Sequence, residues 1–299
     1  MRRVFVLGNA TLDCVQTVAR LPQPGETLLC DSLQRCAGGK GLNQAIASAR
    51  TGAPTLLAAP IGADPDAALL RTTVGAEAGL EARWIESAQP TDYSAIWVSA
   101  DAENVIVSSA AAAHGLALDD ALAALEDFAA GDILVMQGNL SEALTVAAAR
   151  RAGERGGFAI LNTAPIAWDM GPVLGLFDCV IANAGETRAL AGRTGPEGAA
   201  DLARRARGMA VVTLGPQGAI LARDGETIAV AAPKVAAVDS AGAGDALVGA
   251  WAGGVACGLS VEAALRVAVA AASLAVTRRG TAPSFPSRAE MAALLQALG

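Results

Sequence analysis

Apolar and polar positions along this 299-residue chain fall into blocks whose periods predict strands and helices in turn. Arg3 to Leu7 is a short β-prone run ending at Gly8, and Thr55 to Ile61 is a second one, followed by a helical stretch over Asp66–Gly79. Further strands are predicted near 132–136, 158–162, 178–182 and 210–214, separated by alanine-rich helical stretches; helices over Val261–Thr277 and Arg288–Leu298 end the chain. Apolar strands alternating with helices call for an α/β fold, a mostly parallel central sheet with helices on both faces. Two stretches break the alternation. Residues 14–37 hold Leu21-Pro22-Gln23-Pro24-Gly25 and no helical period. Residues 91–109 hold two alternating runs, Tyr93–Ser99 and Val105–Ser109, around the hairpin-like Ala100-Asp101-Ala102-Glu103-Asn104. Both read as β excursions that pair into a small lid, so the expected organisation is a single domain, 1–299, carrying that lid.

The stretch Val238–Cys257 concentrates the candidate chemistry. Val235–Val238 is β-prone and Ala246–Cys257 is apolar nearly all round, as in a buried helix, which puts Gly242 and Gly244 where strand is expected to become helix. Glycine there lets the backbone come close to a ligand, and the first free N–H groups of a helix form an anion site. Asp245 adds a carboxylate suited to take a proton from an attacking hydroxyl; taken alone, the same residues also suit a tight turn with a helix-capping acid.

Other segments bear on that choice. Ala37-Gly38-Gly39-Lys40-Gly41-Leu42-Asn43-Gln44 leads into a helix, but Gly41 follows the lysine where a P-loop needs Ser or Thr. Polar residues recur just after the expected strands: Asn9, Thr11 and Asp13; Gln137 and Asn139; Asn162; Asn183 and Glu186; Thr213 to Gly218. The carboxyl edge of a parallel sheet is where ligands bind. Between the last two helices, Arg278–Pro286 is too punctuated by Gly and Pro to be helical.

Composition narrows the class. A chain that is 53% hydrophobic and 17% charged has ample material for a core, and a net charge of −7 with no Lys/Arg run argues against nucleic acid. Five cysteines without a CxxC pair suggest neither a zinc site nor a disulfide framework, which fits a cytoplasmic location. The apolar stretches near 246–259 and 267–276 are too short for a membrane span, and the N-terminal run is broken by Gly8 and Asn9. The single histidine, His114, lies in a stretch read as a loop entering a helix. Lysine occurs only at 40 and 234, which singles out Lys40 inside its glycine cluster.

In order and spacing, the segments PxPGET (Pro22–Thr27), GGKGxNQA (Gly38–Ala45), LNxAP (Leu161–Pro165), NxxE (Asn183, Glu186), VTLGxxG (Val212–Gly218), VDxxGAGD (Val238–Asp245) and TRxGxxPSxP (Thr277–Pro286) span nearly the whole chain. In these the chain resembles the ribokinase-like, phosphofructokinase-B type carbohydrate kinases, the ribokinase branch most closely. The resemblance implies ATP-dependent phosphorylation of a sugar hydroxyl, with Asp245 as base and the amides of Ala241, Gly242, Ala243 and Gly244 as an anion hole. It implies that Gly39, Lys40 and Asn43, with Thr11 and Asp13, hold the sugar under the lid. Asn183 and Glu186 would organise Mg2+ and the phosphates, and Thr213, Gly215, Gly218, Gly244 and Val269, with Asn183, would take the nucleotide. Asp239, Ala241, Ala275, Arg278, Gly280 and Ser284 match positions that bind a monovalent cation, K+, in ribokinases.

Two departures concern the sugar. Thr11-Leu12-Asp13 stands where ribokinases commonly have Asn-Ala-Asp, and Gln137-Gly138-Asn139 stands where they have a glutamate, so Asn139 takes the place of that acid near the substrate. A free, ribose-like pentose is the leading expectation. A nucleoside, for which Tyr93 and Trp97 could stack, and another carbohydrate such as fructose are the alternatives. A dinucleotide oxidoreductase would want GxGxxG after the first strand, which Gly8-Asn9-Ala10-Thr11 lacks. A non-catalytic sugar sensor has no need of the intact Gly242, Gly244 and Asp245. Apolar Ile96, Val98, Val105 and Val107 on a two-stranded excursion predict a homodimer formed through the lid.

Overall fold

The computed structural model describes residues 2–99, 101 and 104–299. These form two sheets. The larger has nine strands in the order β13-β12-β11-β10-β9-β8-β1-β4-β5. They are β1 (Val4–Leu7), β4 (Thr55–Ile61), β5 (Leu80–Glu86), β8 (Ile133–Gln137), β9 (Phe158–Asn162), β10 (Cys179–Asn183), β11 (Met209–Thr213), β12 (Ala219–Arg223) and β13 (Glu226–Val230). From β5 to β11 all neighbours are parallel, and β12 and β13 add an antiparallel hairpin at one edge. The smaller sheet, β3-β2-β6-β7, joins β2 (Thr11–Val18), β3 (Ser32–Gly38), β6 (Asp92–Ser99) and β7 (Asn104–Ser108). The expected hairpin connection at 100–104 includes Ala100, Ala102 and Glu103, which lie outside the described residues.

The helices are α1 (Lys40–Arg50), α2 (Pro65–Ala76), α3 (Ala111–His114), α4 (Leu118–Ala123), α5 (Glu142–Glu154), α6 (Ala184–Ala191), α7 (Gly195–Arg205), α8 (Ala243–Ala256), α9 (Val261–Ala275) and α10 (Arg288–Leu298). They cover both faces of the large sheet, which is why its strands are apolar without alternation. In β1, Val4 and Val6 join one core with Leu57, Leu247 and Trp251, while Phe5 and Leu7 join the other with Leu134, Leu161 and Phe177. Each such side chain withdrawn from water contributes roughly 1.5–3 kcal/mol. Among the described residues no helix is long and apolar enough to cross a membrane.

Four sequence readings are corrected. Residues 80–86 form strand β5, and 219–230 form the β12–β13 hairpin; neither was expected. The hairpin was signalled by Asp224-Gly225, whose positive φ values of 53° and 83° suit a two-residue turn between antiparallel strands. The strand expected at Val235–Val238 does not form, because β13 already occupies the sheet edge; Val238 N and Asp239 N bond instead to the Val276 carbonyl (2.7 and 3.2 Å). His114 is the last residue of the short α3 rather than part of a loop.

One packing contact positions the chemistry. Asp245, Gly249 and Gly253 recur every four residues on α8 and so share a face. A Cβ at Gly249 would stand 2.2 Å from the Gln44 carbonyl oxygen, and one at Gly253 would stand 2.4 Å from Thr51 Oγ1. Only glycine lets α8 lie this close to α1, and the closeness brings Asn43 and Gln44 against Asp245.

Candidate active site

Helix α8 begins without a side-chain cap. Its N-cap Gly242 has φ 75°, and a Cβ there would meet Phe285 Cε1 at 2.9 Å. The amide of Ala241 donates to Asp239 Oδ1 (2.9 Å) and that of Ala243 to the Ser240 carbonyl (3.3 Å). The expected row of four amides, Ala241 to Gly244, is therefore reduced, because two already have acceptors. Among the described residues the amides of Gly242, Gly244 and Asp245 have none, and with the helix dipole they make a compact site for negative charge.

Asp245 is buried, 6% exposed, yet no cation pairs with it among the described residues. Side-chain amides hold it instead. Asn43 Nδ2 donates to Oδ2 (3.1 Å) and Gln44 Nε2 to Oδ1 (2.9 Å). Gln44 Nε2 also donates to Asn162 Oδ1 (3.1 Å), and Gln137 Nε2 donates to Gln44 Oε1 (2.9 Å). Since β1, β8, β9, β10 and β11 run parallel, Gln137, Asn162, Asn183 and Thr213 end their strands at one edge of the sheet, where α1 and α8 begin.

Among the described residues three side-chain amide oxygens, Asn43 Oδ1, Gln137 Oε1 and Asn139 Oδ1, are buried without a donor. A buried polar atom left unpaired costs about 1–3 kcal/mol, so Asn43 Oδ1, on the residue whose amide nitrogen donates to Asp245, asks for a ligand that brings a donor. Hydroxyl groups do so.

Thr11 and Asp13, expected at the carboxyl end of the first strand, sit at the start of β2 in the smaller sheet. Thr11 Oγ1 donates to Asp13 Oδ1 (2.8 Å), and Gly38 opposite must lack a Cβ, which would fall 1.9 Å from Asp13 Oδ2. Burial lifts the Asp13 carboxyl above the usual carboxylate range; hydrogen bonds from Thr11 and Ser94 pull the other way, and the charge of Asp245 adds to the lift. Gly39 caps α1 at φ 92°, where a Cβ would press on Thr11 N at 2.9 Å, and Lys40 opens the helix half-buried, with no ion pair among the described residues.

The expected nucleotide residues divide. Asn183 and Thr213 are register partners on β10 and β11, with Gly215 (φ 57°) and Gly218 (φ 99°) in the turn beyond. Asn183 and Glu186 form a capping box at α6, and Glu186 Oε2 also accepts from Thr163 Oγ1 (2.8 Å). Val269 is 3% exposed and packs in the core of α9, so its side chain does not line an open face. Among the described residues no three His, Cys, Asp or Glu side chains gather to hold a metal ion.

The residues matched to a cation site converge on one loop pair. Asp239 Oδ2 accepts from Gly280 N (2.9 Å), tying the segment before α8 to the loop after α9, and Ser284 Oγ donates to the Thr281 carbonyl (2.7 Å). The Ala275 carbonyl already accepts from Arg278 N (3.0 Å). The Arg278 guanidinium pairs with Glu290, whose carboxyl it holds down at about 2, so only backbone oxygen is available at that position. Gln44 was missed as a site residue; a glutamine beside Asn43 in the first turns of a helix buried over 41–49 was the signal.

The pfkB family of carbohydrate kinases matches residues 1–288. A ribokinase of Haemophilus influenzae is 30% identical over 305 residues, covering 99% of each chain, and a deoxyribokinase of Salmonella typhi is 30% identical over 297 residues, covering 95% of each. The solved structure of Arabidopsis thaliana ribokinase complexed with ribose and ATP matches with a TM-score of 0.86 at 28% identity, covering 99% of both chains.

Proposed function

The chain belongs to the pfkB family of carbohydrate kinases and is an ATP-dependent phosphotransferase; from that premise we propose that it phosphorylates a hydroxyl of a free pentose of the ribose type. The observation that carries this is a buried carboxylate held by side-chain amides alone, beside the donorless amide oxygen of Asn43. ATP supplies the phosphoryl group, and Mg2+ offsets its charge. Asp245 accepts the proton of the attacking hydroxyl, for which a weak base is enough because that proton stays in place until late. The free amides of Gly242, Gly244 and Asp245 bind the negative charge facing the helix end. Asn43 and Asn139 accept sugar hydroxyls, with Thr11, Asp13, Gly39 and Lys40 completing the pocket under the smaller sheet, which serves as the lid. Asn183, Glu186, Thr213, Gly215 and Gly218 support the nucleotide and its Mg2+.

Asn139 makes the choice of sugar testable. An amide donates as well as accepts, so the pocket is less demanding of a free hydroxyl there than a carboxylate. Losing one charged hydrogen bond costs ~1.5–3 kcal/mol, which weakens ribose by roughly ten- to a hundredfold. The relatives include both a ribokinase and a deoxyribokinase at equal identity. On this reading ribose, 2-deoxyribose, fructose and nucleosides are ranked by kcat/KM, and Asn139→Glu shifts the ranking toward ribose. An unchanged ranking removes Asn139 from specificity. If no sugar or nucleoside is phosphorylated while sugars still bind, the chain is a sensor.

Two further expectations rest on the same reading. Thorough chelation abolishes turnover and Mg2+ restores it; K+ raises activity over Na+ by ordering the loop pair joined through Asp239 and Gly280. A flat response to either exchange removes the corresponding ion. In the cytoplasm the protein is a homodimer joined through the smaller sheet, where Val105, Ile106 and Val107 are exposed while Ile96 and Val98 are half-buried. Light scattering at the monomer mass across micromolar concentrations refutes the dimer.

A further inference from the structure

Gln44 is fully buried, and each of its hydrogen-bonding groups meets a side chain from a different element: Gln137 of β8, Asn162 of β9 and Asp245 of α8. The direction of the chain is fixed at both ends. Asn162 Nδ2 donates to the Ile181 carbonyl (3.2 Å), which can only accept, so Asn162 turns its oxygen to Gln44. An ionised Asp245 also only accepts. Both requirements turn the Gln44 amide nitrogen toward Asp245 and its oxygen toward Gln137, and leave Gln137 Oε1 as the donorless atom at the far end.

We propose that Gln44 is a positioning residue for phosphoryl transfer, holding the Asp245 carboxylate in one orientation so that its remaining lone pairs face the acceptor hydroxyl. The proposal rests on the reading of Asp245 as the base. Asn43 supplies a second amide but differs in kind: its own oxygen is left without a donor, whereas both the nitrogen and the oxygen of the Gln44 amide are engaged. Beyond these two amides, the elements packed against α8 place no further donor or cation on the carboxylate among the described residues. On α1, Lys40 and Arg50 make no ion pair with it, and Glu262 and Arg266 on α9 make none either among the described residues. Strands β1 and β8 bring no charge, and Asp13 of β2, whose carboxyl the charge of Asp245 helps to lift, is a like charge rather than a partner.

The test compares the wild type with Gln44→Met, similar in volume without hydrogen-bonding capacity, and Gln44→Glu, which keeps the shape but faces Asp245 with a carboxyl. With ribose and MgATP, Gln44→Met is expected to lower kcat by about ten- to a hundredfold, with KM for the sugar changed by less than about threefold. Removing a hydrogen bond to the carboxylate is expected to move the acid limb of the pH profile of kcat/KM to higher pH. Gln44→Glu is expected to move that limb further in the same direction. A general packing defect lowers activity without moving the limb. If both variants leave the limb where it stands in the wild type, or if neither folds as judged by thermal unfolding, Gln44 is structural and the proposal is overturned; if only Gln44→Met fails to fold, Gln44→Glu decides. Asp245→Asn measured alongside separates the two readings. Near-normal kcat there removes the base and the positioning role together, whereas a dead Asp245→Asn with an unmoved limb in the Gln44 variants removes only the latter.

Discussion

Asp245→Asn is expected to lower kcat by about 10²- to 10⁴-fold, the usual contribution of a positioned general base, while the fold and the binding of sugar and ATP persist. The variant keeps the volume of the side chain, and its hydrogen bonds have a simple remedy. The new amide can keep its oxygen toward Gln44 and turn its nitrogen to Asn43, whose donorless Oδ1 becomes the acceptor after the Asn43 amide rotates. Gln44 need not move, since Gln137 and Asn162 hold it. The rotation presents a donor where Asn43 offered the sugar an acceptor, so KM for the sugar rises modestly while kcat carries the main loss. Steady-state kinetics with calorimetric binding of the sugar checks this division, and a variant that keeps near-normal kcat eliminates Asp245 as the base.

Gly249→Ala is expected to cost both stability and activity although it lies a full helical turn from the reacting groups. In an exposed helix the substitution would stabilise by roughly 0.5–1 kcal/mol. Here the new methyl falls 2.2 Å from the Gln44 carbonyl oxygen and 2.6 Å from Ala47 Cβ. The obstacle is backbone rather than the flexible end of a side chain, so α1 and α8 must separate by roughly 1 Å to reach ordinary contact. Overpacking of this kind costs about 1–3 kcal/mol, which outweighs the propensity gain and lowers Tm by a few degrees, about 2–4 °C per kcal/mol in large domains. The same separation pulls Asn43 and Gln44 from Asp245, and a misplacement of about 1 Å can reduce turnover by about a hundredfold. Thermal unfolding and kcat measured on one preparation check both parts. A variant as stable and active as the wild type shows that the glycine stripe does not set the spacing.

The alternation of apolar runs and turn residues carried the α/β class, six strands of the large sheet, both β excursions and the final helices, because period and turn chemistry are local properties. Thr55–Ile61 and Arg288–Leu298 were read with the bounds the fold has. The misses have local causes too. Leu80–Glu86 carries Glu81, Arg83 and Glu86 at the open edge of the sheet, which masks an apolar strand signal, and Val235–Val238 is β-prone but finds no free edge to join. The family resemblance likewise brought Asp245, Asn43, Lys40, Asp13 and Asn139 into one expected site.

What the sequence could not contain is the amide network around Asp245. Gln44 lies 93 residues from Gln137, 118 from Asn162 and 201 from Asp245, and its partners are met only after the sheet orders β1, β8 and β9 side by side and α8 settles on α1 through Gly249 and Gly253. The same holds for the amides of Ala241 and Ala243, which looked free and are taken by Asp239 and Ser240. Which donors and acceptors remain unpaired is decided by distances of 2.9 to 3.1 Å between groups that the chain brings together only on folding. Sequence therefore determined which residue types reach the sheet edge, and tertiary packing determined which of their atoms are left to bind and to react, because hydrogen-bond saturation depends on every neighbour in space rather than on neighbours in the chain.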